Sequence, residues 1–88
     1  MTRKATILIQ NRLGLHARPA ALFVQMANRF KSEIEVQKGR SKVNGKSIMG
    51  IMTLAAGRGS QISIRASGPD APKAISSLTK LIHSNFGE

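Results

Sequence analysis

The 88-residue chain contains no cysteine, tryptophan or tyrosine, and its only aromatic residues are three phenylalanines. Without cysteine it can form no disulfide, no thiolate nucleophile and no cysteine-based zinc site. No run of residues approaches the roughly 20 apolar residues that a membrane span needs. Residues 1–10 alternate in polarity instead of forming the apolar stretch of a signal peptide. We therefore expect a single domain, residues 1–88, in the cytoplasm.

Acidic residues are also scarce, with four Asp and Glu against fourteen Lys and Arg and a formal net charge of +10. Such an excess attracts nucleic acid, phospholipid or acidic proteins. The basic residues are scattered from Arg3 to Lys80 and form no dense block, and aromatic stacking platforms for nucleic acid are missing. We interpret the charge as a field that steers acidic partners. A small basic nucleic-acid-binding module is the alternative.

Alternating and helical periodicities predict seven elements in the order βαββαβα. These are a strand Thr2–Ile9, a helix from Ala17 to about Arg29, strands Glu33–Lys38 and Ser41–Val43, a short helix within Lys46–Ala55, a strand Gln61–Ala66, and a helix that Asp70 caps and that ends near His83. Short connections and a hairpin favour an α+β fold, an open-faced β-sandwich. We expect a four-stranded antiparallel sheet with three helices on one face.

The same periodicities predict which side chains form the core. They are Ala5, Ile7 and Ile9, then Ala20, Phe23, Val24, Ala27 and Phe30, then Ile34, Val36, Ile62, Ile64 and Ala66, and finally Ala74, Ile75, Leu78, Leu81 and Ile82. Leu22 and Met26 either widen the core face of their helix or lie partly exposed. His83 is expected to be structural or solvated, and residues 85–87 are expected to fray.

One histidine lies where an extended run ends and a helix begins. Pro19 is tolerated in a first helical turn, and the amides of Ala17 and Arg18 have no partner within the helix. Gly14 allows a sharp turn before His16. An imidazole, a guanidinium and a positive helix end in one small volume suit a phosphoryl group held on nitrogen. They do not suit a metal, because no other His, Cys or acidic residue is near in sequence. The alternative is a capping or solvated histidine.

A second stretch, Lys46–Ala55, is apolar on two sides of a short predicted helix. Ser47 is expected to be its N-cap. Ile51, Leu54 and Ala55 would face one way, while Ile48, Met49 and Met52 would face the other. The second group is either an exposed patch that suits several partners, or part of a well-buried helix in which Met49 fills gaps in the core.

These two stretches carry a resemblance to a known family. Gly14–Ala20 and Val43–Met52 resemble the two signatures of the HPr family, the histidine-containing phosphocarriers of the phosphoenolpyruvate-dependent sugar phosphotransferase system. The resemblance spans nearly all of the chain. It implies that His16 accepts a phosphoryl group on Nδ1 from Enzyme I and passes it to IIA components of sugar permeases. Arg18 would help to neutralise the group, and no cofactor is implied.

The resemblance also implies a regulatory site and a docking surface. Ser47 would be phosphorylated by HPr kinase/phosphorylase in those bacteria that have this enzyme. The docking surface would consist of Ile48, Met49 and Met52, with Ala17, Ala21 and Gln25 contributing from the first helix. Because a phosphate in an apolar docking face is costly to bury, it would weaken docking without a large conformational change. We expect a monomer that serves as a stoichiometric carrier and has no turnover of its own.

Within this family, two branches are open. The ending Ile82–Phe86 resembles the nitrogen-branch paralogue NPr, which serves a regulatory relay, whereas the run Lys46–Gly50 favours the sugar-type proteins. His16 argues against homologues that keep only the serine and act purely in catabolite repression. The charge of +10 departs from the commonly neutral or acidic family members, and it bears on the choice of partners rather than on the competence of His16.

Overall fold

The structure, a computed structural model that describes residues 1–87, has the predicted element order. The elements are β1 (Thr2–Leu8), α1 (Ala17–Ala27), β2 (Glu33–Lys38), β3 (Ser41–Asn44), α2 (Ile48–Thr53), β4 (Gln61–Ser67), α3 (Ala71–His83) and a short 3₁₀ turn (Asn85–Gly87). The βαββαβα prediction is confirmed, with element ends shifted by one or two residues. None of the helices within residues 1–87 has both the length and the apolar character needed to cross a membrane.

The four strands form one antiparallel sheet in the order β1-β4-β2-β3. Ile7 pairs with Ile62, and Val36 lies between Ile64 of β4 and Val43 of β3. Because successive side chains alternate between the two faces of a strand, this register gathers the apolar residues on one face. That face forms a single core with the buried sides of α1, α2 and α3. The predicted open-faced architecture is therefore confirmed.

The core follows the predicted periodicities closely. The buried apolar residues in the predicted set are Ile7, Ile9, Ala20, Phe23, Val24, Ala27, Ile34, Val36, Ile62, Ile64, Ala66, Ala74, Leu78 and Ile82. Leu22 and Met26 are partly buried against this core, so they widen the core face of α1. Four residues predicted in the core are only partly buried, namely Ala5, Phe30, Ile75 and Leu81.

The expectation that residues 85–87 fray is wrong. Phe86 is only 4% exposed and belongs to the hydrophobic core. Asn85 and Phe86 have φ of 53° and 56°, in the left-handed region that side chains disfavour. Full burial of a phenylalanine contributes about 1.5–3 kcal/mol, which offsets most of the summed cost of about 2–4 kcal/mol for the two left-handed residues. The burial of the ring therefore fixes the backbone here.

The prediction that Asp70 is the N-cap of α3 is confirmed for its position but not for its side chain. Asp70 occupies the N-cap position, but its side chain makes no capping hydrogen bond. Its carboxylate accepts hydrogen bonds from the Ser32 hydroxyl at 2.6 Å and from the amides of Lys31 and Ser32 at 2.9 Å. The aspartate thus ties the connection between α1 and β2 to the start of α3.

These hydrogen bonds change the titration of Asp70. The Ser32 hydroxyl, followed by the Lys31 amide, stabilises the ionised carboxylate and lowers its pKa from the ordinary value of 3.8 to about 2. A carboxyl whose pKa is depressed on folding stabilises the fold above its unfolded pKa. That contribution is lost as the pH falls from about 4 through the folded-state value of about 2.

We therefore predict that Asp70→Asn lowers the melting temperature most above about pH 5 and progressively less toward pH 2. Asparagine keeps the size and one acceptor oxygen of aspartate but cannot ionise, and its amide nitrogen replaces the second acceptor. The pH dependence of the difference, rather than its size, therefore reports on the charge. Thermal melts of both proteins across this range measure the difference, in which the titrations of the other carboxyl groups cancel. A difference in melting temperature that stays constant down to pH 2 would contradict the assignment.

Candidate phosphoryl-transfer site

His16 is the N-cap residue of α1, with extended backbone angles (φ −85°, ψ −168°). Its carbonyl accepts the first helical hydrogen bond, donated by the Ala20 amide at 2.9 Å. The imidazole itself makes no capping hydrogen bond and is partly exposed. His16 is therefore not a capping side chain.

The first turn of α1 leaves backbone donors free beside this ring. The amides of Ala17 and Arg18 precede the first helical hydrogen bond, and Pro19 has no amide hydrogen. Such early amides lie at the positive end of the helix dipole, where an anion is stabilised. The side chain of Arg18 is exposed and Pro19 is buried, so the proline anchors the turn while the guanidinium remains accessible.

Three hydrogen bonds fix the loop that delivers His16. Asn11, only 3% exposed, donates from Nδ2 to the Gly14 carbonyl at 2.7 Å, and its own carbonyl accepts from the Gly14 amide at 3.1 Å. The Leu15 amide donates to the Ala56 carbonyl at 2.8 Å. The sequence analysis missed Asn11, although an asparagine shortly before a glycine is a typical turn signal.

Gly14 is needed at its position for two reasons. Its φ of +67° lies in the region that favours glycine, and a Cβ added there would lie 2.6 Å from Cα of Gly57. The backbone of the loop before α1 therefore passes directly against the segment that follows α2. No other residue type allows this approach without displacing one of the two segments.

This approach joins the two stretches that the sequence analysis identified. A shallow depression of about 290 Å³ is lined by Leu13, Leu15, His16, Met52, Ala55, Ala56 and Gly57. Leu13 is 65% exposed at its rim. Ala56 was not predicted to belong to the site, because its proximity to Met52 depends on tertiary packing.

Helix α2 presents the predicted apolar patch, which consists of Ile48, Met49 and Met52. Their exposed fractions are 45%, 74% and 42%, so the patch is confirmed and the alternative in which Met49 fills the core is wrong. The Ser47 hydroxyl accepts a hydrogen bond from the Gly50 amide at 3.0 Å, as expected of an N-cap.

The opposite side of α2 faces the core, with one correction. Ile51 and Leu54 are buried as predicted. Ala55 is exposed, because α2 ends at Thr53 with Leu54 as its C-cap and the backbone of Ala55 turns into the left-handed region at φ 51°. Helical periodicity therefore no longer applies to Ala55.

The remaining candidate residues lie along α1, which packs against α2. Ala17, Ala21 and Gln25 follow one another at four-residue intervals and therefore share one helix face. Ala17 and Gln25 are exposed and Ala21 is partly exposed. His83 is exposed at the end of α3. No three His, Cys, Asp or Glu side chains in the described part of the chain lie close enough to hold a metal ion.

An open-faced α+β sandwich with an accessible histidine at a helix N-terminus defines a class of small carrier proteins. The protein family whose model matches residues 3–84 is described as "PTS HPr component phosphorylation site". The phosphocarrier protein HPr of Neisseria meningitidis is 52% identical over 85 residues, which cover 97% of this chain and 96% of that protein. HPr of Treponema pallidum is 47% identical over 83 residues, 94% of each chain.

Solved structures agree with these relatives. HPr from Thermoanaerobacter tengcongensis superposes with a TM-score of 0.95 at 53% identity and covers 98% of this chain and 97% of its own. HPr from Bacillus anthracis gives 0.88 at 47% identity, with 92% and 96% covered. The chain belongs to the HPr family, the phosphocarriers of the phosphotransferase system. This membership favours a phosphocarrier over a nucleic-acid-binding module.

We predict that Gly14→Ala disrupts the His16 loop and lowers the free energy of unfolding by about 2 kcal/mol or more. Gly39→Ala is the matched control, because Gly39 also has a positive φ (+59°) but has no atom within 4 Å of an added Cβ. Denaturant unfolding should give a larger loss for the Gly14 variant, since only that variant adds a steric clash to the backbone strain. Equal losses would show that the close approach to Gly57 has no energetic consequence.

Proposed function

We propose that His16 accepts a phosphoryl group from phosphorylated Enzyme I and passes it to IIA components of sugar permeases in the cytoplasm. The observation that carries this proposal is the uncapped, accessible imidazole at the N-terminus of α1. A neutral imidazole is a competent nucleophile near neutral pH. One of its ring nitrogens, Nδ1 by analogy with the family, forms a bond to phosphorus while the bond from phosphorus to the donor breaks. The resulting phosphoramidate gives the group up again to the next acceptor.

Arg18 and the first turn of α1 supply the electrostatic part of the site. A phosphoryl group on His16 would lie beside the exposed guanidinium and the amides of Ala17 and Arg18. These groups stabilise negative charge that develops during transfer, without forming a covalent bond to it. The guanidinium and the amides stabilise the bound phosphoryl group. Because the site is open to solvent, an acceptor can still reach the group and remove it.

Docking of the partner proteins is assigned to the surface around His16. The patch of Ile48, Met49 and Met52 offers flexible apolar side chains, which suit several partners in turn. The face of α1 that carries Ala17, Ala21 and Gln25 extends this surface with small or uncharged side chains. The protein acts as a stoichiometric substrate of its partners, because the site contains one nucleophile and no group that would hydrolyse the product.

Ser47 is proposed as a regulatory phosphorylation site, used by HPr kinase/phosphorylase where a cell contains it. A phosphate would add a charge of about −2 at the N-cap of α2, where the helix tolerates an anion. The fold should therefore persist. The same charge adjoins the apolar patch, and a partner that covers the patch would have to desolvate it. Phosphorylation would thus weaken docking directly.

The proposal predicts that His16→Ala abolishes acid-labile phosphorylation by phosphoenolpyruvate and Enzyme I, while the fold is retained. The matched control is His83→Ala, since His83 is also exposed but lies at the end of α3. Mass spectrometry before and after acid treatment detects the phosphoryl group. The proposal fails if the His16 variant is still charged. A parallel assay with the nitrogen-branch Enzyme I homologue distinguishes the sugar branch from the NPr alternative.

A further prediction concerns Ser47. We expect Ser47→Asp to slow transfer from Enzyme I by about fivefold to thirtyfold, because burying a carboxylate with partial compensation costs about 1–2 kcal/mol. The melting temperature should change little, since aspartate is a good N-cap. Ser76→Asp adds the same charge on the exposed side of α3 and should leave the rate unchanged. Equal rates for the two variants would remove Ser47 from the regulatory role.

A further inference from the structure

Lys38 lies on the core side of the sheet, at the position where an apolar residue would be expected. The side chains of β2 alternate, and Ile34 and Val36 on the same face are buried in the core. Lys38 continues this face as the last residue of β2 and is partly buried. A lysine on a buried face is expected only if its ammonium finds a partner.

The partner of Lys38 is the end of α2. Its Nζ donates to the Ala55 carbonyl at 3.0 Å and approaches the Leu54 carbonyl at 3.4 Å. Carbonyls at a helix C-terminus lack donor partners within the helix and carry the negative end of its dipole. The ammonium therefore donates to the Ala55 carbonyl just after α2, and its charge also opposes the dipole at the Leu54 carbonyl of the C-cap. At the other end of α2, the Ser47 hydroxyl accepts from the Gly50 amide.

The residues held by Lys38 lead directly to the His16 loop. Ala55 has a positive φ of 51°, a conformation that an alanine adopts only when its surroundings hold it there. The next residue, Ala56, accepts the hydrogen bond from the Leu15 amide. Ala55 and Ala56 also line the depression beside His16. Lys38 thus contacts the carbonyl of Ala55, and the carbonyl of the next residue, Ala56, binds Leu15, which precedes His16.

We infer that Lys38 is a positioning residue for phosphoryl transfer. Its ammonium holds the segment Leu54–Ala56 in the conformation that accepts the Leu15 amide and so fixes the His16 loop. This inference rests on the proposed role of His16 for its kinetic consequence, but its structural part stands on the contacts alone. Nothing in the local sequence of β2 indicates the role, because the two partners are distant along the chain.

The test compares Lys38→Met, which keeps an apolar stem but removes the ammonium, with Lys38→Arg, which keeps a cation. Lys42→Met is the matched control, because Lys42 is exposed on the neighbouring strand β3 and its removal lowers the net charge equally. Hydrogen exchange of the Leu15 amide is measured relative to the Ile64 amide in the central strand β4. The Ile64 amide reports on global unfolding, so faster exchange at Leu15 with unchanged exchange at Ile64 marks local opening of the His16 loop.

We expect Lys38→Met to raise the relative exchange of the Leu15 amide about tenfold, since a charge-assisted hydrogen bond is lost. Transfer from Enzyme I at saturating carrier concentration should fall about fivefold through misplacement of the nucleophile. Lys38→Arg should restore most of both quantities, and Lys42→Met should change neither. Unchanged Leu15 exchange in Lys38→Met, or an equal effect of Lys42→Met, would overturn the inference.

The two proposals fail in different ways. Charging of the His16→Ala variant would refute the proposed function, yet the exchange of the Leu15 amide would still report on Lys38. A normal exchange ratio in Lys38→Met would refute the positioning role and leave the phosphorylation of His16 untouched.

Discussion

The hydrogen bond from the Leu15 amide to the Ala56 carbonyl, at 2.8 Å, joins the two functional stretches of this protein. It connects the loop before α1 to the segment after α2, and the bare backbone of Gly14 allows the necessary approach. Without this contact, a histidine at a helix end and an apolar patch would be two unrelated features. With it, they share one surface on which a partner can approach the nucleophile while it covers apolar area.

The stability of helix α2 comes from contacts at its ends and on its buried side, because the helix is short. At six residues it is far shorter than helices that are stable in isolation. A serine hydroxyl caps its first turn, a lysine ammonium donates to the carbonyl just after its last turn, and Ile51 and Leu54 pack it against the core. The position of the exposed side chains of α2 is therefore fixed by contacts at its two ends and on its buried side.

The sequence predicted what depends on periodicity and missed what depends on distant partners. The element order, the core and the exposed methionines follow from spacing along the chain, and the Ser47 cap is a local interaction. Asp70 has the residue type and position of a cap, yet its carboxylate binds Ser32, more than thirty residues earlier. Phe86 follows turn-forming residues, which predict fraying, but its ring is buried in the core through tertiary packing that the local sequence does not indicate. Lys38 belongs to the same class, because its partner carbonyls follow another helix.

The separation of anchoring from exposed side chains on α2 has an evolutionary consequence. Substitutions at Ile48, Met49 or Met52 alter residues that contribute little to the buried core, whereas Ile51 and Leu54 maintain the helix in place. Such surface substitutions usually change stability by less than about 0.5 kcal/mol. With the docking role proposed for this patch, the set of partners can diverge between lineages one exposed side chain at a time, while His16 and its scaffold stay the same.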